Sequence, residues 1–239
     1  MKSAATKVLA SVALGTVLLA AGCSETMNLP TTRTYDQTFL SNYKDLKPRD
    51  KDFIYVSPEA RVMLAAARGV MVDQPEIHIA ADSPWKGAKP ADLTTIAEVM
   101  RTNLSDALKK QGYNVVTEPG QNVLLVRTAF TDMYLEQKPR NVLEYTPIGF
   151  VVGTGISAMQ SIMQKYDILA ITFQAEVSDS GNRALIFQLV APRGGNKLVI
   201  TFDQYKNQMQ TWGARLACNL GNAKAPLAQQ VDCYVGDAG

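Results

Sequence analysis

The stretch Leu169-Ala170-Ile171-Thr172-Phe173-Gln174-Ala175-Glu176-Val177 decides the fold. Successive side chains of an extended chain point to opposite faces, so Leu169, Ile171, Phe173, Ala175 and Val177 line one side and Ala170, Thr172, Gln174 and Glu176 the other. The pattern predicts a sheet with one face buried and the other wetter. Asp179-Ser180-Gly181-Asn182 follows with turn chemistry, so residues 183–191 return as the antiparallel partner.

Upstream, residues 123–135 read as a long strand after the Pro119-Gly120 turn, and residues 113–116 as a short one. Residues 92–111 form the clearest helix. Asp92 is placed to cap it, Leu93, Ile96, Ala97, Met100, Leu104, Ala107 and Leu108 make one apolar stripe, and Gly112 stops it. Residues 53–56 are a compact strand, and residues 70–80 one or two strands interrupted at Pro75. Phe39, Leu40, Tyr43 and Leu46 recur at helical spacing, which predicts a short helix ended by Pro48. Downstream, Arg193-Gly194-Gly195-Asn196 reads as a hairpin turn. A last helix over residues 202–220 follows, capped by Thr201 and stopped by Gly221, with Tyr205, Met209, Trp212 and Leu216 on its apolar face. Helices and strands alternate early and strands form a hairpin late. The economical architecture is α/β (α+β): a two-layer sandwich, a mixed sheet with its helices mainly on one face.

The amino terminus carries a different signal. Lys2 and Lys7 precede an apolar run over residues 8–21 that is too short for a bilayer span, which needs about 20 apolar residues. It has the length of a secretory signal. Its end, Leu18-Leu19-Ala20-Ala21-Gly22-Cys23, resembles a lipobox, although the usual leucine three positions before the cysteine is Ala20 here and Leu19 lies one further back. That resemblance implies cleavage before Cys23 and lipid on its sulfur. Residues 1–22 are then a signal peptide, 23–38 a lipidated cysteine with a flexible tether, and 39–239 a single globular domain. Ser24, rather than Asp, after the lipid-bearing cysteine suggests the outer membrane, facing the periplasm, by analogy with enteric lipoproteins.

Without Lys2 and Lys7 the chain carries 22 basic and 22 acidic residues. A neutral balance gives no electrostatic pull toward nucleic acid or anionic lipid. With Cys23 lipidated, Cys218 and Cys233 are left as a pair. In an oxidising periplasm they suit a disulfide worth ~3 kcal/mol, two unpaired buried thiols being the alternative.

The run Phe39-Leu40-Ser41-Asn42-Tyr43-Lys44-Asp45-Leu46-Lys47-Pro48 resembles the opening signature of a family of bacterial envelope lipoproteins catalogued as a domain of unknown function. Ala175-Glu176-Val177-Ser178-Asp179-Ser180-Gly181 and the helix around Trp212 are similar to the family's later features. The resemblance implies an envelope lipoprotein and carries over no catalytic residue.

No constellation of residues argues for catalysis. His78 is the sole histidine and lies in a strand, so a Ser-His-Asp or Cys-His apparatus has little to draw on. One histidine and two cysteines suited to each other leave too few ligands for zinc. Asp92 with Asp106, and Asp132 with Glu136, lack a spacing that serves acid–base work. No cofactor or metal is expected.

Residues 145–164 contain no charge, and Gly149, Gly153, Ser157 and Ser161 recur every four residues behind Pro147. This stripe of small residues fits either a plain buried helix or a self-association or membrane-contact element. The expected function is therefore a non-enzymatic binding or scaffold lipoprotein, held to the membrane by its lipid, with an envelope protein as partner. The alternative is an oligomeric component of an envelope assembly or secretion system.

Overall fold

A computed structural model describes residues 35–84, 90–137, 166–194 and 202–233. Residues 1–22, read as a signal peptide, Cys23 and the small-residue stripe Gly149, Gly153, Ser157 and Ser161 lie outside the described residues.

The predicted hairpin is the middle of the sheet. Strand β7 (Tyr166–Asp179) pairs antiparallel with β8 (Leu185–Gly194) on one side and with β6 (Val123–Gln137) on the other. Beyond β8 come β2 (Asp52–Val56) and β1 (Lys47–Arg49), both antiparallel; beyond β6 come β3 (Gly69–Val72) and β5 (Val115–Val116), both parallel. β4 (Glu76–Ile79) also runs parallel to β6, further along its edge than β3. Among the described residues the sheet thus has eight strands of mixed direction. The fold is α+β.

Helices α1 (Ala60–Ala66), α2 (Pro90–Lys110) and α3 (Phe202–Lys224) bury their apolar sides on one face. Trp212 of α3 is the centre of that core, its ring 5.4 Å from Phe130 and 5.3 Å from Phe173. Gly213 beside it lets α3 lie close to Asn103, Leu104 and Ala107 of α2.

Several expectations change. The alternation in β7 holds from Ala170 to Val177, while a register shift against β6 puts Ile168 rather than Leu169 in the helix-side core; the second face is not wet, since Thr172, Gln174 and Glu176 are all buried. They are covered by residues 35–46, here called the strap. Nor is the strap helical. Phe39 and Leu40 lie in a second apolar cluster with Ala129 and Val190, and their N–H groups bond to the Tyr43 hydroxyl rather than to a helical ladder. The helical spacing reflects one apolar side of a bent chain. Pro48 sits in β1, an edge strand where its missing N–H is tolerated. Tyr35, read as part of a tether, packs against Tyr43 and Phe53.

Element ends moved for local reasons. Helix α2 begins at Pro90, which places Asp92 inside its first turn, and it stops as read at Gly112, whose φ is +84°. Helix α3 runs through Gly221 to Lys224, because Ala225 N–H still bonds to the Gly221 carbonyl and Pro226 is the first residue unable to continue. β8 starts at Leu185, Arg183 belonging to the turn with φ +61°. Arg193 and Gly194 extend β8 instead of opening a turn, and Gly195 and Asn196 lie outside the described residues.

Candidate functional site

The strap and the sheet face beneath it bring together four of the buried polar side chains, Thr131, Gln174, Glu176 and Gln188. The even positions of β7 supply Gln174 and Glu176, β8 supplies Gln188, and β6 supplies Arg127 and Thr131. A register shift in β6 between Thr131 and Tyr134 turns the next residue as well. Asp132 adopts φ +53°, so its carboxylate joins this face while Met133 drops into the helix-side core.

The strap is attached through these side chains rather than by strand pairing. Asp36 N–H donates to both carboxylate oxygens of Asp132 at 3.0 and 3.1 Å. The Gln174 amide donates to the Asp36 carbonyl and to Thr131 Oγ1. Glu176 Oε2 accepts the Ser41 N–H at 2.7 Å, the Ser41 hydroxyl at 2.6 Å and the Gln188 amide at 2.8 Å. Arg127 links Glu176 to Glu76 at 3.4 Å each and lies over the Phe39 ring, 4.8 Å from its centroid. His78 stands between Glu76 (Nε2 to Oε2, 3.0 Å) and Asp36 (Nδ1 to Oδ2, 3.5 Å).

Tyr43 closes the system from above. Its hydroxyl accepts the Phe39 and Leu40 N–H groups and donates to Gln174 Oε1 at 2.7 Å. Burial pushes its pKa above the ordinary value of 10.0, against the lowering effect of the two backbone N–H groups; Asp36 and Tyr35 raise it further. The neutral phenol is the form that donates, so its contribution is fully present below the ordinary tyrosine pKa and is lost only as strong alkali titrates it. Tyr43→Phe is expected to lower the unfolding free energy by about 1–2 kcal/mol by stranding these partners, as measured by urea denaturation. A change within error would show that water replaces the hydroxyl.

The other residues singled out in the sequence do not join this site. Cys218 on α3 and Cys233 are linked as a disulfide with Cα atoms 5.8 Å apart. Asp106 pairs with Lys109 on the surface of α2, far in sequence from the strap cluster, and Asp132 is engaged by Asp36. Among the described residues no group of three or more His, Cys, Asp or Glu side chains is arranged to hold a metal ion, and no helix is long and apolar enough to cross a membrane. Both halves of the cluster, the opening signature and the strand that carries Glu176, are legible in the sequence, but their contact is not. The usable signal was chemical: Gln174, Glu176 and Gln188 are bulky polar residues in strands otherwise rich in Ile, Phe, Leu and Val.

No curated protein matches the sequence. Among solved structures, the chain is similar to the PelC dodecamer from Paraburkholderia phytofirmans at 13% identity and a TM-score of 0.38, over 71% of this chain and 95% of that one. It is similar to a neuraminyllactose-binding hemagglutinin homolog from Helicobacter pylori at 11% identity and a TM-score of 0.33, over 67% and 84%. A PDZ domain protein from Parabacteroides distasonis matches at 10% identity and a TM-score of 0.33, over 70% of this chain and 34% of that one. These are remote likenesses. The family model of the protein of unknown function DUF3313 matches residues 35–216, from the first residue of the strap to the last helix, and the chain belongs to that family.

Proposed function

We propose that the protein is a lipid-anchored component of the bacterial envelope that acts by binding or scaffolding rather than by catalysis. The observation that carries this reading is the strap. The residues that follow the lipobox-like end at Cys23 and the short stretch 24–34 are clamped onto the sheet by Gln174, Glu176 and Asp132. An anchor on Cys23 would then hold the domain within about 40 Å of the membrane surface, the extended reach of that stretch. Release of the strap would roughly double the reach. The clustered carboxylates support the same view, because Glu176, Asp132, Glu76 and Asp36 each engage the strap or its neighbours, and the Ser41 hydroxyl beside Glu176 serves to attach the strap. The Cys218–Cys233 link suits an oxidising compartment, and Ser24 favours the outer membrane.

Cys23→Ala is expected to abolish lipid attachment and to leave an unprocessed precursor. Radiolabelled palmitate, followed by separation of inner and outer membranes, reads both the anchor and the leaflet. Equal labelling of the variant would overturn the anchored reading.

A further inference from the structure

Outside its amino-terminal segment the chain is balanced in charge, but one corner of the sheet is not. Residues 44–51 hold four basic side chains, Lys44, Lys47, Arg49 and Lys51, against two acidic ones, Asp45 and Asp50, and all six are exposed. They belong to the end of the strap and to the edge hairpin of β1 and β2, whose register pairs Arg49 with Asp52 and leaves a turn of only Asp50 and Lys51. Asp50 takes φ +54°, the left-handed form that two-residue hairpins use. The cations are therefore carried on a fixed backbone. Charged residues and proline on an edge strand also deter pairing with another chain, but that role is met by either sign of charge and is indifferent to where the strap lies.

The strap enters at this corner. The ring of Tyr35, its first residue, lies 5.6 Å from that of Phe53 on β2, and Phe53 is paired with Pro48, between Lys47 and Arg49. Residues 24–34 separate Tyr35 from Cys23, so a lipid on that cysteine is tied to the hairpin by a chain of about 40 Å at full stretch. An excess of two positive charges is weak by itself, since each basic group near an anionic surface shifts occupancy about fivefold. The tether changes the comparison, because it makes contact with the surface an intramolecular event. Orientation is then what the charges decide. Attraction of this kind reaches only about 8–10 Å through salt, so cations beside the tether gain from it and cations on the far edge do not.

We infer that the β1–β2 hairpin is a membrane-docking surface: Lys44, Lys47, Arg49 and Lys51 take the phosphates of anionic phospholipids and turn this edge of the sheet toward the bilayer. The inference rests on the lipid anchor at Cys23 and goes beyond it in fixing how the domain faces the membrane.

The test uses the full-length lipidated protein on vesicles of phosphatidylcholine with and without phosphatidylglycerol. Flotation with the neutral vesicles reads the anchor. An uncharged, water-soluble acetylating reagent followed by mass spectrometry reads the surface. Lys44, Lys47 and Lys51 are expected to react about tenfold more slowly on the anionic vesicles than on the neutral ones, and to recover at about 1 M salt, where the screening length falls to about 3 Å. Lys109 and Lys110 are exposed on α2, which packs beside β5 at the opposite edge of the sheet, and should react equally on both. A double variant, Lys47→Glu with Lys51→Glu, should float as before, unfold at the same urea concentration and lose the protection of Lys44. Flotation with equal acetylation on both kinds of vesicle, or protection of Lys44 that survives the charge reversal, would overturn the docking and leave the anchor standing. Failure to float with neutral vesicles would overturn the anchor and the inference with it.

Discussion

Glu176→Ala is expected to lower the unfolding free energy by about 3 kcal/mol and to free the strap before the rest of the fold. Its Oε2 accepts three hydrogen bonds, two from Ser41 and one from Gln188, and its Oε1 faces Arg127. Removing it leaves the Ser41 N–H and the Gln188 amide without their acceptor in a buried place, and each stranded donor costs about 1–3 kcal/mol. Gln188 has little slack, because its Oε1 already lacks a partner. Arg127 loses one of two carboxylates but keeps Glu76 and the Phe39 ring, so its loss is smaller. The strap makes no strand ladder with the sheet, so local opening should follow. Trypsin should cut after Lys44 faster in the variant, while near-ultraviolet dichroism from Trp212 in the opposite core stays native. Glu176→Gln, which keeps one acceptor, should show a smaller loss. Equal proteolysis of wild type and Glu176→Ala would mean that the apolar contacts of Phe39 and Leu40 hold the strap unaided.

What the sequence disclosed depended on whether a signal was local. The alternation over residues 169–177, the turn at residues 179–182 and the stripe of α2 are short-range patterns, and β7, its hairpin partner and α2 stand where those patterns place them. The strap is the opposite case. Its apolar spacing fits a helix, but two of its backbone donors find partners far along the chain, Ser41 at Glu176 and Asp36 at Asp132, and Phe39 and Leu40 bond to a side chain, the Tyr43 hydroxyl. The same long-range contact reversed the reading of the wetter face. Gln174 and Glu176 are polar because they receive the strap, not because they meet water. Gly221 misled for a related reason: packing of α3 on α2 carries the helix past a residue that alone would stop it. Asp132 was legible only as a charge, since the bulge that aims it at Asp36 is a property of two paired strands.

Asp52→Ala is expected to have the largest effect of any single substitution considered, a loss of about 3–5 kcal/mol. β2 places Asp52 on the same side as Ile54, toward the helices, where the carboxylate is completely buried. Two guanidiniums converge on it, Arg193 from β8 at 2.8 Å and Arg215 from α3 at 3.4 Å. The Arg193 approach is an ion pair rather than a well-aligned hydrogen bond, because its Nη1 proton points to the Pro192 carbonyl. Attraction is therefore the main term, and truncation leaves two cations facing each other around an empty site. Arg193 is partly exposed and can turn toward water; Arg215, buried in α3, cannot move without unpacking the helix. Asp52→Asn keeps the volume but not the charge and should recover little of the loss. Urea denaturation should show a lower midpoint with an unchanged slope, the mark of reduced stability without a change in exposed surface. A loss below about 1 kcal/mol would mean that both guanidiniums rehydrate, and that the buried carboxylate fixes the join of β2, β8 and α3 without stabilising it.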